Sequence, residues 1–186
     1  MFNKDNKYID EEIDSNMYNL ICNKLKKNNY KHYEISNFCK DGYYSRHNMC
    51  YWKNKNYYGF GIGAASYIDN LRITNTRSIT KYSNGNTIES EEVDRDSKIE
   101  YEILLNLRLI DGIDLDEFKN KYNIDLRELY NYDLLIDECL LVCSNNHLFI
   151  PEDKLPVMLQ RAAKRRFPTA WPFKSLDVSK RYSNSF

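Results

Sequence analysis

The densest group of chemically able side chains in this sequence of 186 residues lies in one run, SRHNMCYW. In it, Arg46 is a fixed cation, His47 can carry a proton or ligate a metal, and Asn48 can donate and accept hydrogen bonds. Tyr51 and Trp52 add flat faces that can stack on a planar ligand. Haem or another tetrapyrrole needs this inventory: an axial nitrogen, aromatic walls and cations for its carboxylates. A histidine in a loop can also be a structural hydrogen bonder, and the residues alone leave both roles open.

A second unusual segment is GFGIGAASY, in which Gly59, Gly61 and Gly63 alternate with larger residues. Glycines at every second position of an extended segment remove the side chains from one face, so a ligand or another backbone can approach closely. The spacing differs from the GxGxxG fingerprint and no helical pattern follows directly, which disfavours a Rossmann nucleotide site. The alternatives are a ligand contact or a tightly packed strand bend.

Other catalytic and metal-binding patterns are not found in the sequence. It has no recognisable Ser-His-Asp triad, P-loop or HExxH zinc motif. Cys139 and Cys143 are four positions apart but lack a third ligand at a suitable spacing, so we expect buried structural thiols. His32 and His147 have no chemically able neighbours and are predicted to be structural.

The composition is that of a globular protein without a membrane span. Lys plus Arg and Asp plus Glu number 27 each, and aromatic residues make up 14% of the chain, which is too many for a disordered protein. The apolar runs are only a few residues long, so we expect no transmembrane helix. Five cysteines without a disulfide-framework spacing, and a polar N-terminus without the apolar stretch of a secretory signal, predict a cytoplasmic protein.

Residues 156–186 differ in composition from the rest of the chain. They hold three of the four prolines, and seven Lys or Arg against one acidic residue. One interpretation is a basic patch for nucleic acid or a membrane. We favour an artefactual or disordered tail, because Ala, Pro and Asn usage all change at one point, and we exclude this segment from the fold.

Hydrophobic patterns predict the elements that position the candidate residues. Apolar residues at helical spacing predict an amphipathic helix over residues 10–28, and alternation predicts a strand over 30–38. Helix and strand together are half of a βαβ unit. Residues 39–58 are predicted to be an irregular loop, and 83–96 a polar connection.

The remainder of the chain is predicted to be helical and to end in a hairpin. Helices are expected from Ser97, from Leu115 after a cap at Asp114, and after Asp125. Two short apolar strands then flank Asn145-Asn146, a hairpin-turn signal. Helices followed by a hairpin resemble a small winged-helix unit.

Four sequence blocks occur in the order that they have in one known family. They are HYEISNF at residues 32–38, SRHNxxYW at 45–52, GFGxGAxSY at 59–67 and LRLIDGIDLDEF at 107–118. Together they resemble the C-terminal half of HemW, a family of haem chaperones related to oxygen-independent coproporphyrinogen III oxidase among the radical S-adenosylmethionine proteins. The resemblance covers about residues 8–155.

The resemblance implies an α/β fold with two parts. Residues 1–82 would be the C-terminal portion of a partial (β/α) radical S-adenosylmethionine barrel, and 83–96 a linker. Residues 97–155 would be the small helical, winged-helix-like C-terminal domain of the family. The atypical segment 156–186 would follow it.

The resemblance also implies two binding sites. Haem would bind at the HNxxYW motif, which corresponds to His47, Asn48, Tyr51 and Trp52, with His47 as the ligand of the haem iron. S-adenosylmethionine would contact the backbone at Ala64, Ala65 and Ser66. The family commonly has His where Ala65 stands, so only a backbone contact is carried over at that position.

One family motif is missing from these 186 residues. The CxxxCxxC motif, which holds a [4Fe-4S] cluster in the N-terminal half of the family, has no equivalent among the five cysteines. We therefore expect a truncated protein that is not an enzyme by itself. A barrel without its earlier strands would expose the edge at residues 30–38 and favour self-association. A chaperone would also need a haem-acceptor protein as a partner.

An alternative function is that of a binding module. The winged unit could contact a protein or nucleic acid through residues 97–155. Acidic residues are frequent there and no basic recognition helix is apparent, so a protein partner is favoured over nucleic acid.

Overall fold

The computed structural model describes residues 11–85 and 87–156, which form two compact units. One unit comprises residues 44–109, and the other combines the residues before and after that segment. The helices are α1 Glu11–Lys27, α2 Arg46–Trp52, α3 Ile79–Ser83, α4 Arg95–Asn106, α5 Leu115–Tyr122, α6 Leu126–Leu129 and α7 Asp133–Asp137, with a 3₁₀-helix at Glu152–Lys154. The strands are β1 Tyr30–Glu34, β2 Asn37–Lys40, β3 Ala65–Ile68, β4 Leu71–Asn75, β5 Thr87–Glu92, β6 Ile113–Asp114, β7 Val142–Ser144 and β8 His147–Phe149.

Helix α1 forms where the apolar spacing predicts it. Lys24, Lys26 and Lys27 lie in its last turn, where cations suit the helix dipole, and Asn29 ends the turn that follows with a left-handed φ of 62°. Its packing is less complete than the pattern suggests. Four apolar side chains that the pattern would bury are exposed: Ile13, Met17, Leu20 and Ile21.

The single strand predicted over residues 30–38 is wrong, because the structure has a hairpin there. Strands β1 and β2 pair antiparallel, with a bulge between His32 and Glu34. The Glu34 carboxylate closes the turn, accepting hydrogen bonds from the Ser36 N–H at 3.1 Å and from the Asn37 amide at 2.6 Å. Ile35 fits the alternating pattern of the predicted strand, but it lies in the turn. Its side chain is 1% exposed, so its burial holds the turn in place.

The same unit contains a second, three-stranded sheet in the order β6-β8-β7, together with α5, α6 and α7. The predicted hairpin at Asn145-Asn146 is confirmed, and both residues have positive φ, as a type I′ turn requires. Gly112 lies so close to β8 that a Cβ there would be 2.2 Å from the Leu148 carbonyl oxygen. Buried apolar side chains form the core: Ile113, Phe118, Leu126, Tyr132, Leu141 and Leu148.

The predicted caps of α5 and α6 are present. One Asp114 carboxylate oxygen accepts hydrogen bonds from the Asp116 and Glu117 N–H groups, and Asp125 accepts one from the Arg127 N–H. The expectation of buried thiols nearby is wrong: Cys139 and Cys143 are both exposed. Cys139 has a φ of 54°, which places it in a tight turn rather than in a packed strand.

The unit at residues 44–109 is an antiparallel sheet in the order β3-β4-β5 with α2, α3 and α4. Two sequence predictions were wrong here. The loop predicted over 39–58 contains α2, and the connection predicted over 83–96 contains β5 and the start of α4. Strand β5 escaped prediction because its sequence, TIESEE, is that of a charged edge strand rather than an apolar one.

The mixed helix and sheet class is confirmed, and the finer architecture stays a prediction. Every strand pair among the described residues is antiparallel, so the partial barrel and the winged-helix assignment are not confirmed. The two units are defined by contacts within the structure. The predicted domain boundaries at 82, 97 and 155 come from the family resemblance, and they stay a prediction. Apart from Pro156, the segment 156–186 lies outside the described residues. Within the described part of the chain, no helix is long and apolar enough to cross a membrane.

Candidate functional site

Helix α2 turns the SRHNMCYW run into a short helix with a defined start. Ser45 is its N-cap, with extended backbone angles, and its hydroxyl accepts a hydrogen bond from the Asn48 N–H at 3.3 Å. Residues four apart on a helix lie on the same face, so Tyr51 stands one turn beyond His47. The predicted haem residues are therefore all on one helix, but not all on one face.

His47 and Tyr51 are in direct contact. The Tyr51 hydroxyl lies 2.8 Å from the His47 Nε2, and the two rings meet edge to face with centroids 4.8 Å apart. His47 is exposed to solvent. One ring nitrogen is thus engaged by a phenol, and the imidazole is accessible from solution.

The Tyr51 ring continues into a row of aromatic side chains. Its centroid is 4.5 Å from that of Tyr57, which in turn is 6.5 Å from Tyr67. Burial raises the pKa of both Tyr57 and Tyr67 above the ordinary value of 10.0, although Arg72 opposes the shift. These phenols therefore stay neutral at physiological pH and give the base of α2 an uncharged aromatic support.

Trp52 faces a cation rather than His47. The guanidinium carbon of Arg108 lies 4.4 Å from the centre of the Trp52 ring. The indole N–H is buried and has no hydrogen-bond partner among the described residues. No local sequence pattern predicts this contact, since Arg108 lies 56 positions further along the chain.

The glycine-rich segment packs against the protein's own backbone. Gly59 is so close to β3 that a Cβ would lie 2.1 Å from the Ala65 carbonyl oxygen. The Gly59 N–H also donates to the Ser66 hydroxyl at 2.9 Å. The sequence left open whether Gly59 approaches a ligand or the protein's own backbone. In this structure it approaches the backbone of β3.

Side chains from elsewhere in the unit hold the rest of this segment. The Asn75 amide donates to the carbonyls of Gly59 and Gly61 at 3.3 and 3.0 Å, and the Tyr82 hydroxyl accepts from the Gly61 N–H at 2.9 Å. Gly61 has a φ of +101°, which a residue with a Cβ rarely adopts. The segment is consequently fixed by hydrogen bonds at its glycines.

The three residues predicted to contact S-adenosylmethionine lie at the start of β3. The Ala64 carbonyl accepts from the Asn75 N–H at 2.8 Å, and Ala65 pairs with Thr74 in the sheet. Ser66 is buried and its hydroxyl is engaged by Gly59, whereas Ala65 is exposed. These positions are ordered by internal contacts, and their role in binding stays a prediction.

Of the other two histidines, His32 lies in a polar cluster of the discontinuous unit, which combines residues before 44 and after 109. Its Nδ1 is 3.2 Å from a Glu152 carboxylate oxygen, its Nε2 is 3.2 Å from the Ile35 carbonyl, and its ring stacks on Phe38. Lys26 also forms an ion pair with Glu152. Burial alone would raise the pKa of Glu152, but hydrogen bonds from Lys26 and His32 hold that pKa below its ordinary value.

The remaining candidate metal ligands do not cluster. No group of three His, Cys, Asp or Glu side chains suited to a metal ion occurs in the residues that the structure describes. His147 is half-buried on β8, and its Nδ1 has no hydrogen-bond partner among those residues. The exposed imidazole of His47 is therefore the candidate on which the site depends.

Comparison with known proteins shows which families this chain is similar to. Residues 93–153 match the HemN C-terminal domain. The haem chaperone HemW of Lactococcus lactis is 36% identical over 137 residues, which are 70% of this chain and 36% of that protein. HemW of Bacillus subtilis is 35% identical over 126 residues, covering 64% of this chain and 33% of that protein. The chain thus spans about a third of the length of the curated relatives that it matches.

A solved structure shows the same fold. Coproporphyrinogen III oxidase (HemN) from Escherichia coli, a radical S-adenosylmethionine enzyme, superposes with a TM-score of 0.61 over 83% of this chain and 42% of that one. The sequence identity is 12%, so this likeness concerns the fold alone. The predicted resemblance is confirmed: the chain is similar to the C-terminal half of the HemW haem chaperones, and its residues 93–153 match the HemN C-terminal domain.

Proposed function

We propose that this chain binds haem on helix α2, with His47 as the iron ligand, as part of a HemW-like haem-handling protein. The observation that carries the proposal is the exposed imidazole of His47 in a family of haem chaperones. A haem ligand must present a ring nitrogen to the iron, and a buried histidine with both nitrogens engaged, such as His32, does not meet that requirement.

The donor set at α2 fits an imidazole-bound porphyrin. The iron of bound haem supplies a vacant coordination position, and a neutral imidazole is a suitable ligand for it. His47 Nε2 is held by a phenol, and a neutral hydrogen bond of this kind contributes only about 1 kcal/mol, so it can be exchanged. Tyr51 orients the ring until that exchange, and the half-buried Trp52 offers an aromatic wall.

Asn48 has a supporting role in this proposal. Its backbone N–H is taken by the Ser45 cap, which fixes the first turn of α2. Its half-buried side chain keeps the capacity to donate and to accept, and we assign it to hydrogen bonding beside the ligand. In the order of the motif, the four residues would then act as iron ligand, polar contact, orienting group and aromatic wall: His47, Asn48, Tyr51 and Trp52.

Binding of S-adenosylmethionine is proposed only for a protein of the length of the relatives. Its backbone contacts would be at Ala64, Ala65 and Ser66, where β3 begins. Radical chemistry needs a cluster held by three thiolates, and the 186 residues contain no CxxxCxxC motif. The proposal for these 186 residues is therefore limited to haem binding.

Transfer of haem implies a further partner. A chaperone must hand haem to an acceptor protein, and the exposed position of His47 leaves room for such an approach. Self-association through the β1–β2 hairpin is a separate proposal, since both strands lie at an edge of a sheet that has only two strands among the described residues. The alternative of a nucleic-acid or protein-binding winged module is not favoured, because residues 93–153 match the HemN C-terminal domain.

The proposal is tested by titrating hemin into the wild-type chain and the His47→Ala variant. Wild-type protein is expected to shift the Soret band, and the variant to lose that shift. His147→Ala is the matched control, because it removes a histidine that is also not fully buried. Identical spectra for wild-type and His47→Ala proteins would reject His47 as the ligand.

A further inference from the structure

We infer that helix α1 carries an interaction surface and that its partner is a second copy of this chain, with the two α1 helices antiparallel. The surface is an apolar stripe on the side of α1 that is turned away from its own unit. Charges near the two ends of α1 make this stripe complementary to itself. The inference does not depend on the haem site, because no residue of α2 takes part in it.

The side of α1 that packs against its own unit is identified by burial. Cys22 is buried, and Ser15, Tyr18 and Leu25 are half-buried. The Tyr18 hydroxyl donates to the Ile35 carbonyl at 2.9 Å, which ties this side of the helix to the β1–β2 hairpin. The four helix residues recur at intervals of three and four positions, so they lie on one face.

A second apolar face, the outer stripe, is exposed. Its residues are Ile13, Met17, Leu20 and Ile21, which are 53%, 51%, 68% and 49% exposed. At about 3.6 residues per turn, their mean direction is about 135° around the helix axis from that of the packed face. Helix α1 therefore has two apolar faces, and the described residues cover only one of them. An exposed apolar patch of this kind marks a site of interaction.

The spacing of the outer stripe suits another helix. Ile13, Met17 and Leu20 follow one another at intervals of four and three, which is the alternation of the a and d positions in paired helices. The next position in this pattern is Lys24. Its aliphatic stem can lie along an apolar seam while the ammonium group stays in water.

The charges of α1 favour an antiparallel pair. Glu12 and Asp14 lie near its start, whereas Lys24 and Lys27 lie in its last turn. An antiparallel partner brings the acidic end of each helix to the basic end of the other and opposes the two helix dipoles, whereas a parallel partner brings like charges together. Because a twofold pair makes every contact twice, this complementarity acts at both ends.

The two charges nearest the outer stripe are suited to such a contact. Asp14 and Lys24 form no ion pair within the described part of the chain. They flank the stripe at opposite ends, so in an antiparallel pair Asp14 of each copy lies near Lys24 of the other. A helix of 17 residues is only about 25 Å long, so the contact is smaller than a standard interface and we expect a weak, concentration-dependent dimer.

The first experiment measures association of the full chain by sedimentation velocity over a wide range of concentration. Reductant is present, because Cys139 and Cys143 are exposed and could form disulfide-linked dimers. Wild-type protein is expected to show a monomer–dimer equilibrium, and Leu20→Ser to raise its dissociation constant roughly tenfold or more, since each dimer loses two apolar contacts. Leu134→Ser is the matched control, because Leu134 is a 62% exposed leucine of the same unit and should leave the equilibrium unchanged.

The second experiment tests the orientation with a carbodiimide, which joins a carboxylate directly to an ammonium group. Within one copy, Asp14 and Lys24 are ten positions apart, about 15 Å along the helix, which is too far for a direct bond. An antiparallel dimer of mixed isotope-labelled and unlabelled chains is therefore expected to yield Asp14–Lys24 peptide pairs that carry one label each. Mass spectrometry detects them, and Lys24→Gln should abolish them.

The outcomes separate this surface from the other occupants that it could have. A chain that stays monomeric at all concentrations would overturn the inference and leave the outer stripe to a different partner, such as the additional length of the relatives. A dimer that Leu20→Ser does not weaken would also overturn it, and would favour the β1–β2 hairpin as the contact. A dimer that depends on Leu20 but gives no mixed Asp14–Lys24 product would refute the antiparallel arrangement.

Discussion

The Glu152 carboxylate lies 3.2 Å from the Nδ1 of His32, a residue 120 positions earlier in the chain. His32 is buried between this carboxylate, the Ile35 carbonyl and the Phe38 ring. Glu152 therefore joins the 3₁₀-helix near the end of the described chain to β1, and through Lys26 to α1.

Replacing this carboxylate should destabilise the unit that contains it. Glu152→Gln removes the negative charge from the contacts with Lys26 and His32, and leaves a neutral amide facing the His32 Nδ1. Because the Glu152 side chain is 40% exposed, solvent screens the interaction, and we expect a loss of about 1 kcal/mol in the free energy of unfolding. Urea denaturation measures it, with Asp153→Asn as the control, since Asp153 is more exposed and pairs only locally with Lys154. Equal stabilities of the two variants would contradict the role of Glu152.

The same contact predicts a dependence on pH. Hydrogen bonds from Lys26 and His32 lower the pKa of Glu152 in the folded protein below the ordinary 4.5, so folding disfavours its protonation. The contribution to stability is fully present above 4.5 and is lost as the pH falls through the lowered native pKa. The stability difference between wild-type and Glu152→Gln proteins should therefore shrink in that acidic window. A difference that stays constant below it would show that the charge is not responsible.

Removing the Tyr51 hydroxyl should strengthen haem binding. The hydroxyl occupies the Nε2 of His47, so a ligand at that nitrogen must first displace it. Tyr51→Phe keeps the ring contact and removes this competition, which we expect to lower the hemin dissociation constant roughly two- to tenfold. Tyr43→Phe, at an exposed tyrosine, is the control. Weaker binding by Tyr51→Phe would mean that the hydroxyl contacts the ligand rather than competing with it.

The contact between Gly59 and β3 should make this glycine intolerant of any side chain. A Cβ at Gly59 would overlap the Ala65 carbonyl, so Gly59→Ala must displace either the loop or the strand. We expect a loss of about 2 kcal/mol in unfolding free energy, as for overpacked sites. Gly42→Ala is the comparison, because it has a positive φ but nothing within 4 Å, and should lose about 1 kcal/mol. Thermal unfolding followed by circular dichroism would give the order, and the reverse order would refute the packing argument.

The elements that could be predicted from the sequence are those with a pattern in a few neighbouring residues. The apolar period of α1, the Asp114 and Asp125 caps, and the Asn145-Asn146 turn each occupy a few neighbouring residues. The hairpin of β1 and β2 was missed because its turn depends on the Glu34 side chain and on burial of Ile35. Helix α2 was missed because its sequence, RHNMCYW, has no apolar period from which a helix could be predicted. In agreement with this, none of its residues is buried.

The residues of the candidate site were proposed from sequence and their role in binding stays a prediction, whereas their contacts could not be predicted. Family motifs identified the HNxxYW residues, and helical spacing explains why His47 meets Tyr51. No local pattern could pair Trp52 with Arg108, or Gly59 with Ala65, since both contacts depend on tertiary packing. The exposure of the α1 apolar residues was likewise unpredictable, because a periodic pattern shows which face is apolar and not whether that face is covered.

The discontinuous unit also constrains how the protein emerges during translation. Its early part, with α1 and the β1–β2 hairpin, is made before residues 44–109, and its later part only after them. At about 5–20 residues per second, the ribosome needs roughly 6 to 24 s to proceed from His32 to Glu152. Throughout that interval the nascent chain holds an imidazole whose carboxylate partner has not yet been synthesised, so this unit can complete its packing only after Glu152 has been added.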